Sequence, residues 1–144
     1  MIERLRRLLP GLWAGLLLCV ALLATPAPFA TLVQADAARV VARLLAQEAY
    51  TSLALGVLML VLERLVARRA AGGSLGRQFS VGMVLSLGTL FCTVAGYFAL
   101  QPMLEAARAG RGAFSFGALH GVSMALFAVK GVLVLVLAWR LGGR

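Results

Sequence analysis

The chain has one histidine, His120, and one lysine, Lys130, and both fall in a single apolar run over residues 114–139. That run is long enough to cross a bilayer, for which about 20 apolar residues suffice. A lysine near the middle of such a span costs roughly 2.5–3.5 kcal/mol on insertion scales. Something must offset that cost, and the identity of the partner is the first chemical question the sequence poses.

His120 and Lys130 recur at helical spacing with Ser123, Phe127 and Val134. Ten positions separate the two ionisable residues, roughly 80° around a helix and about 15 Å along it. They could line one cavity but could not touch. His120 admits two readings: a ring hydrogen-bonded to a neighbouring helix at the membrane edge, or a single axial ligand or proton carrier. No second histidine and no Cys-x-x-Cys pair accompanies it, so a transition-metal cage within one protomer is not expected.

Lys130 admits three readings. It could snorkel toward Arg140, about 15 Å away. It could be neutral, since burial disfavours an ammonium. It could pair with Glu63, the only acid inside a span boundary. The Lys130–Glu63 contact is the sharpest expectation. His120, Lys130, Ser123 and Glu63 are thus the candidate functional residues, with no catalytic residue and no metal site identified. No Gly-rich phosphate loop, triad order or paired-carboxylate motif is present.

The elements that must position these residues follow from composition. Of 144 residues, 62% are hydrophobic and 13% charged, against about 25% charged in soluble domains. Mean hydropathy is +0.96. A soluble core of this size could not bury so much apolar surface, so lipid must cover it. The net charge of +9 does not point to nucleic acid, because the arginines cluster at the ends of apolar runs and form no basic stripe with aromatics. Cys19 and Cys92 lie inside apolar runs and read as small buried hydrophobes.

The predicted fold is an all-α integral membrane bundle, one domain of four transmembrane helices over about residues 8–25, 49–66, 79–100 and 116–139, with a short amphipathic helix between spans 1 and 2. Arginine placement orients it. Arg4, Arg6, Arg7, Arg64, Arg68, Arg69, Arg77, Arg140 and Arg144 flank one side, and Arg39, Arg43, Arg108 and Arg111 the other. The bias predicts a multi-pass protein of the bacterial inner membrane with both termini cytoplasmic. A rival reading of the N-terminus is a secretory signal peptide, with arginines, an apolar run and a small-residue site near Ala24. Otherwise Pro26 and Pro28 are expected to end the first helix.

Asp36 is a candidate N-cap for the amphipathic segment, whose apolar face comprises Ala37, Val40, Val41, Leu44, Leu45 and Ala49. That segment is either a separate surface helix or an extension of the second span. The second connection, rich in Gly and Arg over residues 68–77, reads as a flexible turn. The third begins after Pro102, with a helical turn through Ala107 and loosening at Gly110 and Gly112. Tyr50, Tyr97, Trp13 and Trp139 read as interfacial anchors.

Membrane helices associate through close packing of small residues. Gly82, Ser86, Thr89, Thr93 and Gly96 share one face of the third span. Gly11 and Gly15 in the first span, and Gly117 and Gly121 in the fourth, offer two further small faces. All three are expected to pack within the bundle, or else to serve a homo-oligomer.

Pro26-Ala27-Pro28-Phe29 closing the first span, and Ala37-Ala38-Arg39-Val40-Val41 leading into the second, resemble bacterial four-span proteins related to eukaryotic transmembrane protein 205. Phe116-Gly117-Ala118-Leu119-His120-Gly121-Val122-Ser123 is similar to the Leu-His-Gly-x-Ser signature of that family's last span. The resemblance implies a four-span fold and no defined reaction. The bacterial members are largely a domain of unknown function, and the eukaryotic relative is linked to tolerance of platinum drugs. A more distant likeness, in span count and a Leu-His element, is to copper-resistance D-type proteins and the four-span haem-linked protoporphyrinogen oxidase. It implies metal or haem handling, from which this chain departs in having one histidine.

The expected function is that of a small non-enzymatic inner-membrane protein, a transport or homeostasis accessory acting as a compact bundle or homo-oligomer, whose partners are the lipid bilayer and, in the oligomer, further copies of itself, without a cofactor. Two alternatives stand beside it. One is a haem- or metal-linked redox protein with His120 as ligand and Lys130 facing a propionate. The other is a proton-coupled carrier using Lys130 and Glu63.

Overall fold

The computed structural model describes residues 1–71 and 79–143. Every regular element among them is helical. Helix α1 (Ile2–Cys19) runs through a π-helical stretch, Val20–Ala24, into α2 (Pro26–Thr31). Helix α3 (Gln34–Ala70) follows, then α4 (Val81–Thr93), which runs through a second π stretch, Val94–Ala99, into α5 (Leu100–Arg108). Helix α6 (Phe116–Gly142) ends the described chain. The four rods Ile2–Thr31, Gln34–Ala70, Val81–Arg108 and Phe116–Gly142 are each long and apolar enough to span a membrane.

Pro26 and Pro28 do not end the first helix. The chain stays helical to Thr31 and turns extended only at Leu32, with φ −114° and ψ 158°. The reason is the π stretch. Thr25 N–H donates to the Val20 carbonyl, five residues back, at 2.9 Å. That wider turn resets the register so that Pro26 occupies the first position of a new segment, where no N–H is needed. The second π stretch likewise closes shortly before a proline, Pro102.

The amphipathic segment is an extension of the second span, as α3 is one helix of 37 residues. Its N-cap is Val33, not Asp36. Asp36 lies in the first turn, favourable to the helix dipole, and pairs with Arg39. The expected flexible turn over residues 68–77 falls largely outside the described residues. The third connection behaves as read: α5 carries through Ala107, and Gly110 takes φ +69° to turn the chain.

The helices close into a ring in which α1 packs beside α3 and α6, and α4 beside the same two. Helices α3 and α6 therefore face each other across a diagonal. Ile2 and Leu9, early in α1, pack against the cluster that holds Leu137 and Leu141, late in α6, and four successive rods bring the two ends of the chain to one end of the bundle, with α1 and α6 antiparallel. This is the terminal end, and the opposite end holds the α2–α3 and α5–α6 connections. Trp13, Leu17, Met59, Leu62, Val134 and Leu137 form the main core in the terminal half. Leu100, Leu104 and Leu119 form a smaller cluster at the far end.

Charged residues fix the depth scale. Arg43 and Arg64 are exposed on α3, 21 positions apart, about 31 Å along the axis. Only buried acids lie between them, so they bracket one hydrocarbon thickness of about 30 Å. On α6, His120 and Arg140 bracket a similar length of 20 residues.

Of the three predicted small-residue faces, the one on α4 sets close packing. Ser86, Thr89 and Thr93 are fully buried, and each hydroxyl bonds a carbonyl of its own helix, leaving small apolar surfaces for neighbours. A Cβ added at Gly96 would press on Leu126. Gly11, Gly15, Gly117 and Gly121 instead face away from the bundle, with nothing near an added Cβ. The expectation that they pack within the chain is corrected. The α1–α6 seam is filled by the opposite α1 face, through Trp13, Ala14 and Leu17.

Candidate functional site

The partner of Lys130 is Glu48. The Lys130 ammonium donates to Glu48 Oε1 at 2.7 Å and to Oε2 at 2.9 Å. Both side chains are buried, 4% exposed each. The pair joins α6 to α3 across the diagonal of the bundle. Ser52 Oγ, one turn along α3, donates to Glu48 Oε1 at 2.5 Å, and Trp13 Nε1 of α1 donates to Ser52 Oγ at 2.9 Å. Phe127 places its ring 4.7 Å from Lys130 Nζ, within cation–π range. Cys92 of α4 is buried near the same ammonium. One charge-assisted network thus ties α6, α3 and α1 together in the apolar interior, where such bonds are roughly twice as strong as neutral ones.

The expected Lys130–Glu63 contact does not form, for two physical reasons. A side chain leans toward the N-terminus of its helix, and for α6 that direction is the far end. Lys130, about 15 Å from Arg140, therefore reaches away from Glu63. In addition, the continuous α3 carries Glu48 inside the membrane, where a separate surface helix would have held it outside.

Glu63 belongs to a second network at the terminal end. It is 1% exposed. Arg6 Nε donates to its Oε1 at 2.5 Å and Arg6 Nη2 to its Oε2 at 3.2 Å, a two-point grip. Ser80 Oγ donates to Glu63 Oε2 at 2.9 Å and accepts from Met83 N–H at 3.1 Å, capping α4. A side chain at Gly82 would overlap the Glu63 carboxylate, so glycine opens the space the acid fills. Arg6, its side chain 16% exposed, also reaches Glu3 at 3.4 Å.

The remaining two candidates stand elsewhere. Ser123 Oγ donates to the Gly96 carbonyl at 3.0 Å, pinning α6 to the second π stretch. His120 is exposed on the outside of α6, stacked on Phe116 with ring centroids 5.6 Å apart, and Arg108 lies over the other partner of that stack, 4.9 Å from the Phe116 centroid. His120 and Lys130 thus point to different surroundings and do not line one cavity. Among the described residues no three His, Cys, Asp or Glu side chains group closely enough to hold a metal ion.

Glu48, Ser52, Trp13 and Arg6 are the site residues that sequence reasoning missed. A signal existed. Val41, Glu48, Ser52, Gly56, Met59 and Glu63 are all buried on α3 and recur at steps of three, four and seven, a helical stripe that runs past the assumed span boundary.

No curated protein and no solved structure matches the chain. The family model described as a domain of unknown function, DUF4149, matches residues 8–113. That segment contains Trp13, Glu48, Ser52 and Glu63 and stops before α6, which supplies Lys130. With most of its length matched, the chain, whose four long apolar helices suit a multi-pass membrane protein, belongs to the DUF4149 family.

Proposed function

We propose that this protein is a non-enzymatic accessory of the bacterial inner membrane, serving transport or homeostasis as a closed four-helix bundle with both termini cytoplasmic. The observation that carries the reading is that the interior satisfies itself. Among the described residues, no buried side-chain nitrogen or oxygen lacks a hydrogen-bond partner. The buried charges of Lys130, Glu48 and Glu63 are held by protein groups at short range. The orientation rests on the arginine excess at the terminal end, where Arg4, Arg7, Arg64, Arg68 and Arg140 gather. The likeness of Leu119-His120-Gly121-Val122-Ser123 to the relatives of transmembrane protein 205 supports the four-span architecture of this reading. The glycine faces turned outward on α1 and α6 are compatible with assembly of several copies.

A second reading, a proton-coupled carrier, gains support from the depth of the Lys130–Glu48 pair, because intramembrane ionisable groups mark proton paths in many transporters. Reconstitution separates the two. The full chain is placed in liposomes with a trapped pH-sensitive dye, and a pH gradient with a clamped potential is imposed. The accessory reading expects no proton flux beyond that of protein-free liposomes. Flux that is present in the native chain and lost in Lys130→Met would overturn it in favour of the carrier.

A further inference from the structure

One face of α3 at the far end of the bundle is largely exposed, and the side chains of Arg43 and Gln47 on it are unpaired among the described residues. Arg43, Ala46, Gln47, Tyr50 and Thr51 recur at steps of three and four, and line an open groove of about 560 Å³. We infer that this groove is a binding site for one anionic glycerophospholipid of the surrounding membrane, its phosphate diester held by Arg43.

Depth is the first argument. Arg43 stands about 31 Å from Arg64 along α3, so its guanidinium lies where one leaflet's phosphates lie. The groove descends from there toward the bilayer centre, with Thr51 about 12 Å lower. The second argument is the order of chemistry along that descent. At the top is a guanidinium, whose planar fork suits phosphate oxygens. One turn down is the Gln47 amide, at the level of the ester carbonyls that follow the phosphate by one glycerol unit. Below it the floor turns apolar. Thr51 directs its hydroxyl into its own helix, donating to the Gln47 carbonyl at 2.8 Å, and so offers its methyl. The Tyr50 ring, edge-on to Phe98 at 5.3 Å, walls the acyl level.

The third argument is availability. Among the described residues, the side chains of Arg43 and Gln47 make no hydrogen bond or ion pair, whereas Arg39 is paired with Asp36 and Arg108 is laid over Phe116. No acid lines the groove. Glu48, next to Gln47 in sequence, is buried and paired with Lys130, and Glu105 lies on α5 outside the lining. A zwitterionic headgroup would bring its own cation to compete with Arg43, and an anionic one would not.

The test is native mass spectrometry of the full chain released from nanodiscs of phosphatidylglycerol and phosphatidylcholine in equal parts. One phosphatidylglycerol retained per chain is the expected result. Arg43→Gln is expected to lower retention about fivefold, in keeping with loss of one charge-assisted contact. Gln47→Leu is expected to lower it about twofold. Arg39→Gln, already paired elsewhere, leaves it unchanged. Arg43 is exposed, so unchanged helicity and Tm in Arg43→Gln confirm that folding is not what was lost. Equal retention of the two lipids, retention that survives Arg43→Gln, or displacement of the lipid by excess inorganic phosphate would each overturn the proposal, the last by showing a site for a free anion.

Discussion

Two buried ion pairs sit in one small bundle, and they differ in everything except charge. Arg6–Glu63 is at the membrane edge, with the arginine partly exposed and the acid additionally held by Ser80 and seated against Gly82. Lys130–Glu48 is deep, both members 4% exposed, with Ser52, Trp13 and the Phe127 ring as its remaining neighbours. The edge pair links the starts of α1 and α4 to the last turns of α3. The deep pair crosses a diagonal where α3 and α6 make no close backbone contact among the described residues. Depth decides what each loses when broken. An arginine at the edge that loses its acid turns to water, and a lysine at the centre that loses its acid has nowhere to go.

The largest effect follows from that difference. Glu48→Leu strands Lys130 in the interior, and breaking a buried pair from one side costs about 3–5 kcal/mol. Glu63→Leu is expected to cost less, about 1–3 kcal/mol, because Arg6 can rehydrate. Reversible unfolding of the detergent-solubilised protein in mixed micelles with SDS, followed by circular dichroism, measures both. The double variant Glu48→Leu with Lys130→Met is expected to recover most of the first loss, since a matched apolar pair removes the stranded charge. Equal costs at the two sites, or a double variant no better than the single, would break the comparison.

The edge pair has its own signature, the glycine beneath it. Gly82→Ala places a methyl where the Glu63 carboxylate lies, and overpacking of that kind costs about 1–3 kcal/mol. In a Glu63→Ala background the same substitution is expected to cost almost nothing. The double-mutant cycle therefore reads a coupling of similar size between residues 63 and 82. A cycle that closes to zero would show that Gly82 serves helix packing in general and not the seating of this acid.

The edge pair was half visible in the sequence and the deep pair was not, and the reason lies in helix continuity. Hydropathy finds four helices long enough to span, because lipid demands about 20 apolar residues whatever the neighbours do. It placed Glu63 within the second span. The same average starts that span at residue 49 and leaves Glu48 in a connection, although the apolar period runs unbroken through it. A window average falls wherever Asp36, Arg39, Arg43 and Glu48 enter it, yet only Glu48 among these turns inward. Hydropathy reports composition, not the direction a side chain faces. Lys130 pairs with Glu48 and not Glu63 for a related reason, since residue depth alone omits the lean of side chains toward a helix N-terminus. Small-residue spacing identified the Ser86–Thr89–Thr93 face but could not distinguish it from the outward glycines of α1 and α6, because spacing fixes a common face and not what covers it.

Those outward positions sharpen the comparison from the opposite side, as sites belonging to neither pair. Gly15→Ala, Gly121→Ala and His120→Ala each alter an exposed position with no contact across the bundle, and an added Cβ at either glycine meets nothing within 4 Å. Substitutions of this kind are expected to stay within about 0.5 kcal/mol. Replacing glycine inside a helix can even stabilise slightly, because alanine loses less backbone freedom on folding. The same unfolding assay measures all three in the monomer. A loss above 1 kcal/mol, on the scale of the edge pair, would mean that the face is covered after all, and that its cover is another molecule. Dependence of that loss on protein concentration would identify the cover as a second copy of the chain, since stability gained through association follows mass action.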